Sequence, residues 1–174
     1  QDACGARDLH DNIFAYNTVE LGWRAGGIAV YGGTGHRIYN NFVTDMALAA
    51  GIHLNSTFPG TKFNANNKPD GIKFENNTIV RSGTNCDIFG NDLAALDVHK
   101  TGGSLQNITF YNTEIYDAPC FGITVLNDPD NIKFINTKIL GAGLTGMSTS
   151  YSTTPVTFCA IRADQATPIF NGLE

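Results

Sequence analysis

Hydrophobic positions alternate in short runs along the chain. Ile28/Val30, Ile52/Leu54, Leu96/Val98 and Ile123/Val125 are each split by one residue, which is in turn Ala29, His53, Asp97 and Thr124. A period of two sends successive side chains to opposite faces, so these runs predict strands and not helices. A second figure recurs between them. It reads Phe14-Ala15-Tyr16-Asn17-Thr18-Val19, then Ile38-Tyr39-Asn40-Asn41-Phe42-Val43, then Phe74-Glu75-Asn76-Asn77-Thr78-Ile79. It returns as Phe110-Tyr111-Asn112-Thr113-Glu114-Ile115 and Phe134-Ile135-Asn136-Thr137-Lys138-Ile139. With Phe14, Ile38, Phe74, Phe110 and Phe134 as equivalents, the steps are 24, 36, 36 and 24 residues. A fixed step with insertions of half a period is the mark of a solenoid.

The length of the step selects the kind of solenoid. Three strands of four to six residues with their turns use about 20 to 25 residues, one coil of a parallel β-helix. The pattern therefore predicts an all-β fold: a right-handed, single-stranded parallel β-helix of the pectate-lyase-like type, as one domain over 1–174. Its coils are expected at 12–34, 35–55, 71–98, 105–127 and 128–150. Loops rich in Pro, Asn and Gly are inserted at 56–70 and 83–92. Residues 1–11 carry no capping amphipathic helix and the tail 153–174 stops mid-pattern, so the solenoid reads as truncated at both ends, the remainder of a larger chain; irregular but complete ends are the alternative. The phenylalanine row and the alternating pairs should fill the interior. Asn40, Asn76, Asn112 and Asn136 should stack at one corner, where amides can bond to one another and to turn backbone as scaffold.

Composition narrows the function. The 174 residues carry a formal net charge of -5, which argues against a nucleic-acid or anionic-membrane partner. No apolar run reaches the length of a membrane span. Cys4, Cys86, Cys120 and Cys159 show no metal-ligand spacing and permit two disulfides. Cys86 and Cys120 follow the repeated figure at similar distances and could stack as a pair; the alternative is buried free thiols. The sequons at Asn55, Asn76 and Asn107 fit an exported protein, and a secreted, extracellular setting is expected.

Stacking gathers candidate chemistry. One outward column should hold Ala29, His53, Asp97 and Thr124, and the next Tyr31, Asn55, His99 and Leu126. His53, Asp97 and His99 then form a polar cluster beside Tyr31. Trp23 and Arg24, in the turn before the first of these strands, offer a ring face and a guanidinium suited to sugars. These six are the candidate substrate-binding residues. The same pattern also fits an ordinary solvated face, with Trp23 packed on its own turn. No zinc motif, phosphate loop or Ser/His/Asp order appears, and Asp128-Pro129-Asp130 reads as a turn, so no metal and no cofactor are expected. No pair of carboxylates is placed for glycoside hydrolysis by spacing alone.

The run Asn17-Thr18-Val19-Glu20-Leu21-Gly22-Trp23-Arg24-Ala25-Gly26-Gly27-Ile28-Ala29-Val30-Tyr31-Gly32-Gly33, continuing to Gly51-Ile52-His53-Leu54, resembles the β-helix catalytic module of glycoside hydrolase family 87. That family comprises α-1,3-glucanases and mycodextranases. The resemblance is clear over about residues 12 to 55 and thins to a generic β-helix after 70. It implies a secreted enzyme that hydrolyses α-1,3-glucan or mixed α-1,3/1,4-glucan, with an α-glucan polysaccharide as its partner. Catalysis in the family rests on aspartates, including a Gly-Asp-Asp-Gly segment one coil before the strand that matches Ala29-Val30-Tyr31. This chain contains no Asp-Asp pair. The resemblance thus implies catalytic aspartates upstream of Gln1 and assigns none here; Trp23, Arg24, Tyr31 and His53 would stand beside the groove. Two other readings share the fold: a polysaccharide lyase or epimerase, disfavoured because the outward columns lack a Lys/Arg cluster, and a non-catalytic glycan-binding solenoid.

Overall fold

A computed structural model describes residues 4–6, 9–23, 25–56, 71–83, 94–143 and 160–174. Within them there are sixteen strands and no helix. A six-stranded sheet runs β1 (Cys4–Ala6), β4 (Ile28–Val30), β7 (Ile52–Asn55), β10 (Ala94–His99), β13 (Phe121–Leu126) and β15 (Ile161–Asp164). A ten-stranded sheet has two arms. One arm is β2 (Ile13–Ala15), β5 (Arg37–Tyr39), β8 (Lys73–Glu75) and β11 (Gln106–Tyr111). The other is β3 (Thr18–Glu20), β6 (Phe42–Thr44), β9 (Thr78–Val80) and β12 (Glu114–Tyr116). They meet at β14 (Asp130–Leu140), which also pairs with β16 (Ile169–Leu173). Every pairing is parallel and joins a strand to its equivalent one repeat away. The arrangement is all-β and consistent with a parallel β-helix.

The register matches the sequence figure residue for residue. Phe14 pairs with Ile38, Ile38 with Phe74, Phe74 with Phe110, Phe110 with Phe134, and Phe134 with Phe170. The last four are phenylalanines, and their rings stack with centroids 4.7, 4.7 and 4.8 Å apart. That spacing is the interstrand distance itself, so each ring rides on its own strand. Around this row lie Ile28, Val30, Ile52, Leu54, Leu96, Val98, Ile123 and Val125 from the six-stranded sheet, with Val43, Ile79 and Ile115 from the second arm. Phe14 and Ile139 pack against the cluster while partly exposed.

Backbone conformation marks the corners with the same steps. Tyr16, Asn40, Asn76, Asn112 and Asn136 turn the chain from one arm to the other with φ between 48° and 59°, and Gly172 continues the series at 72°. Leu21, Asp45, Arg81, Asp117 and Gly141 do the same after the second arm. Left-handed backbone costs an ordinary L-residue roughly 1–2 kcal/mol, and asparagine tolerates it best among residues with a side chain. This is a reason for the asparagines beyond amide stacking.

The stacking itself comes in two ladders. On the exposed one, Asn112 Nδ2 donates to Asn76 Oδ1 at 2.8 Å and Asn136 Nδ2 to Asn112 Oδ1 at 3.2 Å. One residue on, the buried ladder is tighter. Asn17 N and Nδ2 donate to Asn41 Oδ1 at 3.0 and 3.1 Å, and Asn41 N and Nδ2 donate to Asn77 Oδ1 at 3.1 and 3.0 Å. Asn77 Nδ2 closes on Ile38 O at 2.8 Å. The next residues in this column, Thr113 and Thr137, have buried hydroxyls without a hydrogen-bond partner.

Where the second arm meets the six-stranded sheet, small residues are required. A Cβ on Gly27 would lie 2.7 Å from Val43 Cγ1, one on Gly51 2.5 Å from Ile79 Cγ2, and one on Gly122 2.8 Å from Ile139 Cγ2. The Gly-Ile openings of these strands therefore record a close approach and not only a turn.

Cys120 is buried and disulfide-bonded. That rules out the free-thiol alternative for Cys120; Cys86, the suspected partner, lies outside the described residues.

Candidate functional site

The interior face of β7, β10 and β13 is fixed by Ile52/Leu54, Leu96/Val98 and Ile123/Val125, so the residues between them point away from the core. The register lines these up as Ala29, His53, Asp97, Thr124 and Arg162 in one column. Asn55, His99, Leu126 and Asp164 form the next. The expected gathering of His53, Asp97 and His99 on one face is therefore present, and Tyr31 joins it, its ring centroid 5.7 Å from that of His53.

The expectation of an open wall needs correction. His53 is 7% exposed, Asp97 0% and His99 1%. Thr124, Asn55 and Leu126 are buried as well. Alternation along a strand tells which side chains leave the interior; it carries no information about what other segments lie over the outer face. Of the remaining candidates, Tyr31 is half-buried and Trp23 is 75% exposed, while Arg24 lies outside the described residues.

Under this cover the polar groups are largely paired. Asp97 Oδ1 accepts a hydrogen bond from Thr124 Oγ1. Asp97 Oδ2 lies 3.3 Å from His53 Nδ1, an ion-pair distance, but the two are turned out of hydrogen-bond alignment. His99 Nε2 lies 2.7 Å from Asn127 Nδ2, and His99 Nδ1 is buried without a hydrogen-bond partner. Asn55 Oδ1 accepts from Thr101 Oγ1 at 2.7 Å. Asn55 itself is 7% exposed. A carboxylate placed between a hydroxyl and an imidazole can take part in fixing the orientation of that ring.

Two features escaped the sequence reading. The first is a cleft of about 420 Å³ on the ten-stranded sheet, lined by Asn112, Glu114, Asn136, Thr137, Lys138, Gly172 and Glu174. It gathers two carboxylates and an amine, and lies on a different sheet from the histidine column. The second is a column of Arg37, Lys73, Thr109 and Lys133 on the outer side of the first arm. The expected lack of a Lys/Arg cluster concerned the outward columns of the six-stranded sheet; this column lies on the other sheet. Part of this charge is internally matched, since Arg37 Nη2 donates to Glu75 Oε2 at 2.9 Å. At the second corner Arg81 grips Asp45 with Nε and Nη2 at 2.7 and 2.8 Å, which holds the Asp45 carboxyl below its usual range.

No family profile matches the chain, and no curated protein does. Solved structures do. The Agl-KA catalytic domain is similar over 95% of this chain, at 31% identity and a TM-score of 0.78. The catalytic domain of a GH87 alpha-1,3-glucanase in complex with tetrasaccharides shares the fold over 89% of the chain, at 19% identity and a TM-score of 0.61. The chain spans 32% of the length of each.

Proposed function

We propose that this GH87-like module is part of a secreted, polysaccharide-degrading glycoside hydrolase acting on α-1,3-glucan, or on mixed α-1,3/1,4-glucan. One observation carries the reading: the 31% identity sustained over 95% of the chain with the Agl-KA catalytic domain. The fold we infer is the right-handed, single-stranded parallel β-helix, supported by sheets in which each strand pairs in parallel with its equivalent one repeat away. Its role is to supply scaffold and groove wall. The catalytic aspartates of the hydrolase are contributed outside these 174 residues, in keeping with the lack of an Asp-Asp pair in the sequence. Trp23, 75% exposed, is the ring a glucan would meet first, with Tyr31 and His53 in ring contact nearby on the six-stranded sheet.

Retention on insoluble α-1,3-glucan tests this. The chain is expected to be retained and Trp23→Ala to weaken retention at least tenfold, with no sugar released in either case. Passage of the unaltered chain straight through the glucan would overturn the groove-wall role. Release of sugar by these residues alone would overturn the external placement of the catalytic aspartates.

A further inference from the structure

The corner between the two arms breaks its own rule once. Asn40, Asn76, Asn112, Asn136 and Gly172 hold left-handed backbone there, as residues that tolerate it, but the first repeat places Tyr16 in that position at φ 59°. A phenol ring has no short polar group with which to bond its own turn, so the strain is not offset locally. Burial does not offset it either, since Tyr16 is 75% exposed. A strained aromatic held in the open points to a use outside the fold. Leu21, equally exposed at φ 59°, lies two residues from Trp23 and goes with the wall proposed above.

The neighbours of Tyr16 indicate the use. Its ring meets that of Tyr39 with centroids 5.5 Å apart and planes at 81°, an edge-to-face contact that leaves each ring at least one face clear of the other. The Arg37 guanidinium carbon lies 5.1 Å from the centre of the Tyr39 ring, and Arg37 Nη2 donates to Glu75 Oε2 at 2.9 Å. Aromatic faces suit the C–H side of a pyranose, and a paired guanidinium and carboxylate supply donors and acceptors for its hydroxyls. Charge chooses among polysaccharides. Glu75 matches Arg37, so an anionic polymer would meet a carboxylate wherever it met the guanidinium, whereas a neutral chain meets no such repulsion. We propose that Tyr16, Tyr39, Arg37 and Glu75 form a second polysaccharide contact, at the corner of the ten-stranded sheet, where a neutral α-glucan chain stacks on the tyrosines and bonds the ion pair through its hydroxyls. The contact is separate from the wall at Trp23 and rests on the proposed function only for the choice of an α-glucan.

Tyr16→Asn tests this without threatening the fold, because it supplies the residue that the same corner carries at positions 40, 76, 112 and 136. Two readouts are expected to move in opposite directions: the urea midpoint rises as the strain is relieved, while retention on insoluble α-1,3-glucan falls about fivefold. A tyrosine kept for structure gives the other sign on the midpoint, so a lower midpoint overturns the proposal, as does unchanged retention. Tyr39→Leu keeps an apolar side chain but removes the second ring, and retention should again fall; retention equal to that of the unaltered chain counts against the platform. Trp23→Ala measured in parallel separates this contact from the groove wall. Loss with Tyr16→Asn but not with Trp23→Ala removes the wall and leaves this contact standing, and the reverse removes the contact and leaves the wall. Passage of the unaltered chain straight through the glucan overturns both.

Discussion

The six-stranded sheet and the first arm of the ten-stranded sheet are written in the same alternation but treat their outer faces in opposite ways. Every residue of β7, β10 and β13 is buried. In β5 and β8 only the central, inward residue is buried, with Arg37 exposed and Lys73, Tyr39 and Glu75 intermediate. The outer positions differ accordingly. Under cover they are Ala29, His53, Asp97 and Thr124, either small or able to bond at short range. On the other face they are Arg37, Lys73, Thr109 and Lys133, mostly long charged side chains, Arg37 exposed and paired with Glu75 and the others half-buried. The difference teaches that alternation reports departure from the interior, while the size and bonding capacity of the departing residue report whether water is there.

The largest effect should come from the interior the two sheets share. Phe110 lies between Phe74 and Phe134, each 4.7 Å away, with none of its surface exposed. Phe110→Ala is expected to cost about 3–5 kcal/mol, read as a drop in the urea midpoint. Lys133→Ala, on the outer side of the same sheet, should stay within about 0.5 kcal/mol. A cost below that of an ordinary surface change for Phe110→Ala would mean that the rings stack without carrying the fold.

A smaller contrast separates the two asparagine ladders. Asn77 Oδ1 takes two donors from Asn41, and its Nδ2 reaches Ile38 O, all in a buried setting. Asn77→Ala strands those groups and should cost about 1–3 kcal/mol for the unsatisfied donors. Asn112→Ala loses only exposed bonds, so its cost should be nearer 1 kcal/mol and come from the left-handed backbone at φ 48°. Asn112→Gly then recovers most of the loss in thermal melts, whereas Asn77→Gly does not. Equal recovery at both positions would show that backbone conformation, and not amide bonding, is what the asparagines supply.

Much of this was legible in the sequence because stacking is a local rule repeated. The phenylalanine row, the pairing of Asp97 with His53 and the corner asparagines all follow once the step is known, and all appear in the register. The burial of His53, Asp97 and His99 was not legible, since alternation fixes which face a side chain takes and not whether that face is exposed. The basic column was legible in principle: Arg37, Lys73 and Lys133 alternate with the phenylalanine row as regularly as His53 does with the isoleucines, on the ten-stranded sheet. The glycines at 27, 51 and 122 could be read as turn residues from sequence, and the close approach to Val43, Ile79 and Ile139 appears only when two sheets are brought together.

The joint between the two compared sheets holds one more test, of smaller size. His36 lies in the turn that carries the chain from β4 to β5 and is 2% exposed. Its Nδ1 accepts from Asn12 N at 3.3 Å and its Nε2 faces Gly32 O at 3.2 Å, so the neutral ring with the proton on Nε2 satisfies both sides. Burial lowers its pKa below 6.5, against the opposing pull of the Gly32 carbonyl and of Asp11, with His10 adding slightly to the lowering. The unfolded chain therefore binds a proton at this site at higher pH than the folded one. Its contribution to stability is complete above about pH 6.5 and is lost as the pH falls through the lower folded value. His36→Gln keeps an acceptor and a donor but does not titrate, so urea midpoints measured from pH 7.5 down to 5 should fall less steeply for it than for the unaltered chain. Parallel curves would place the acid sensitivity elsewhere in the chain.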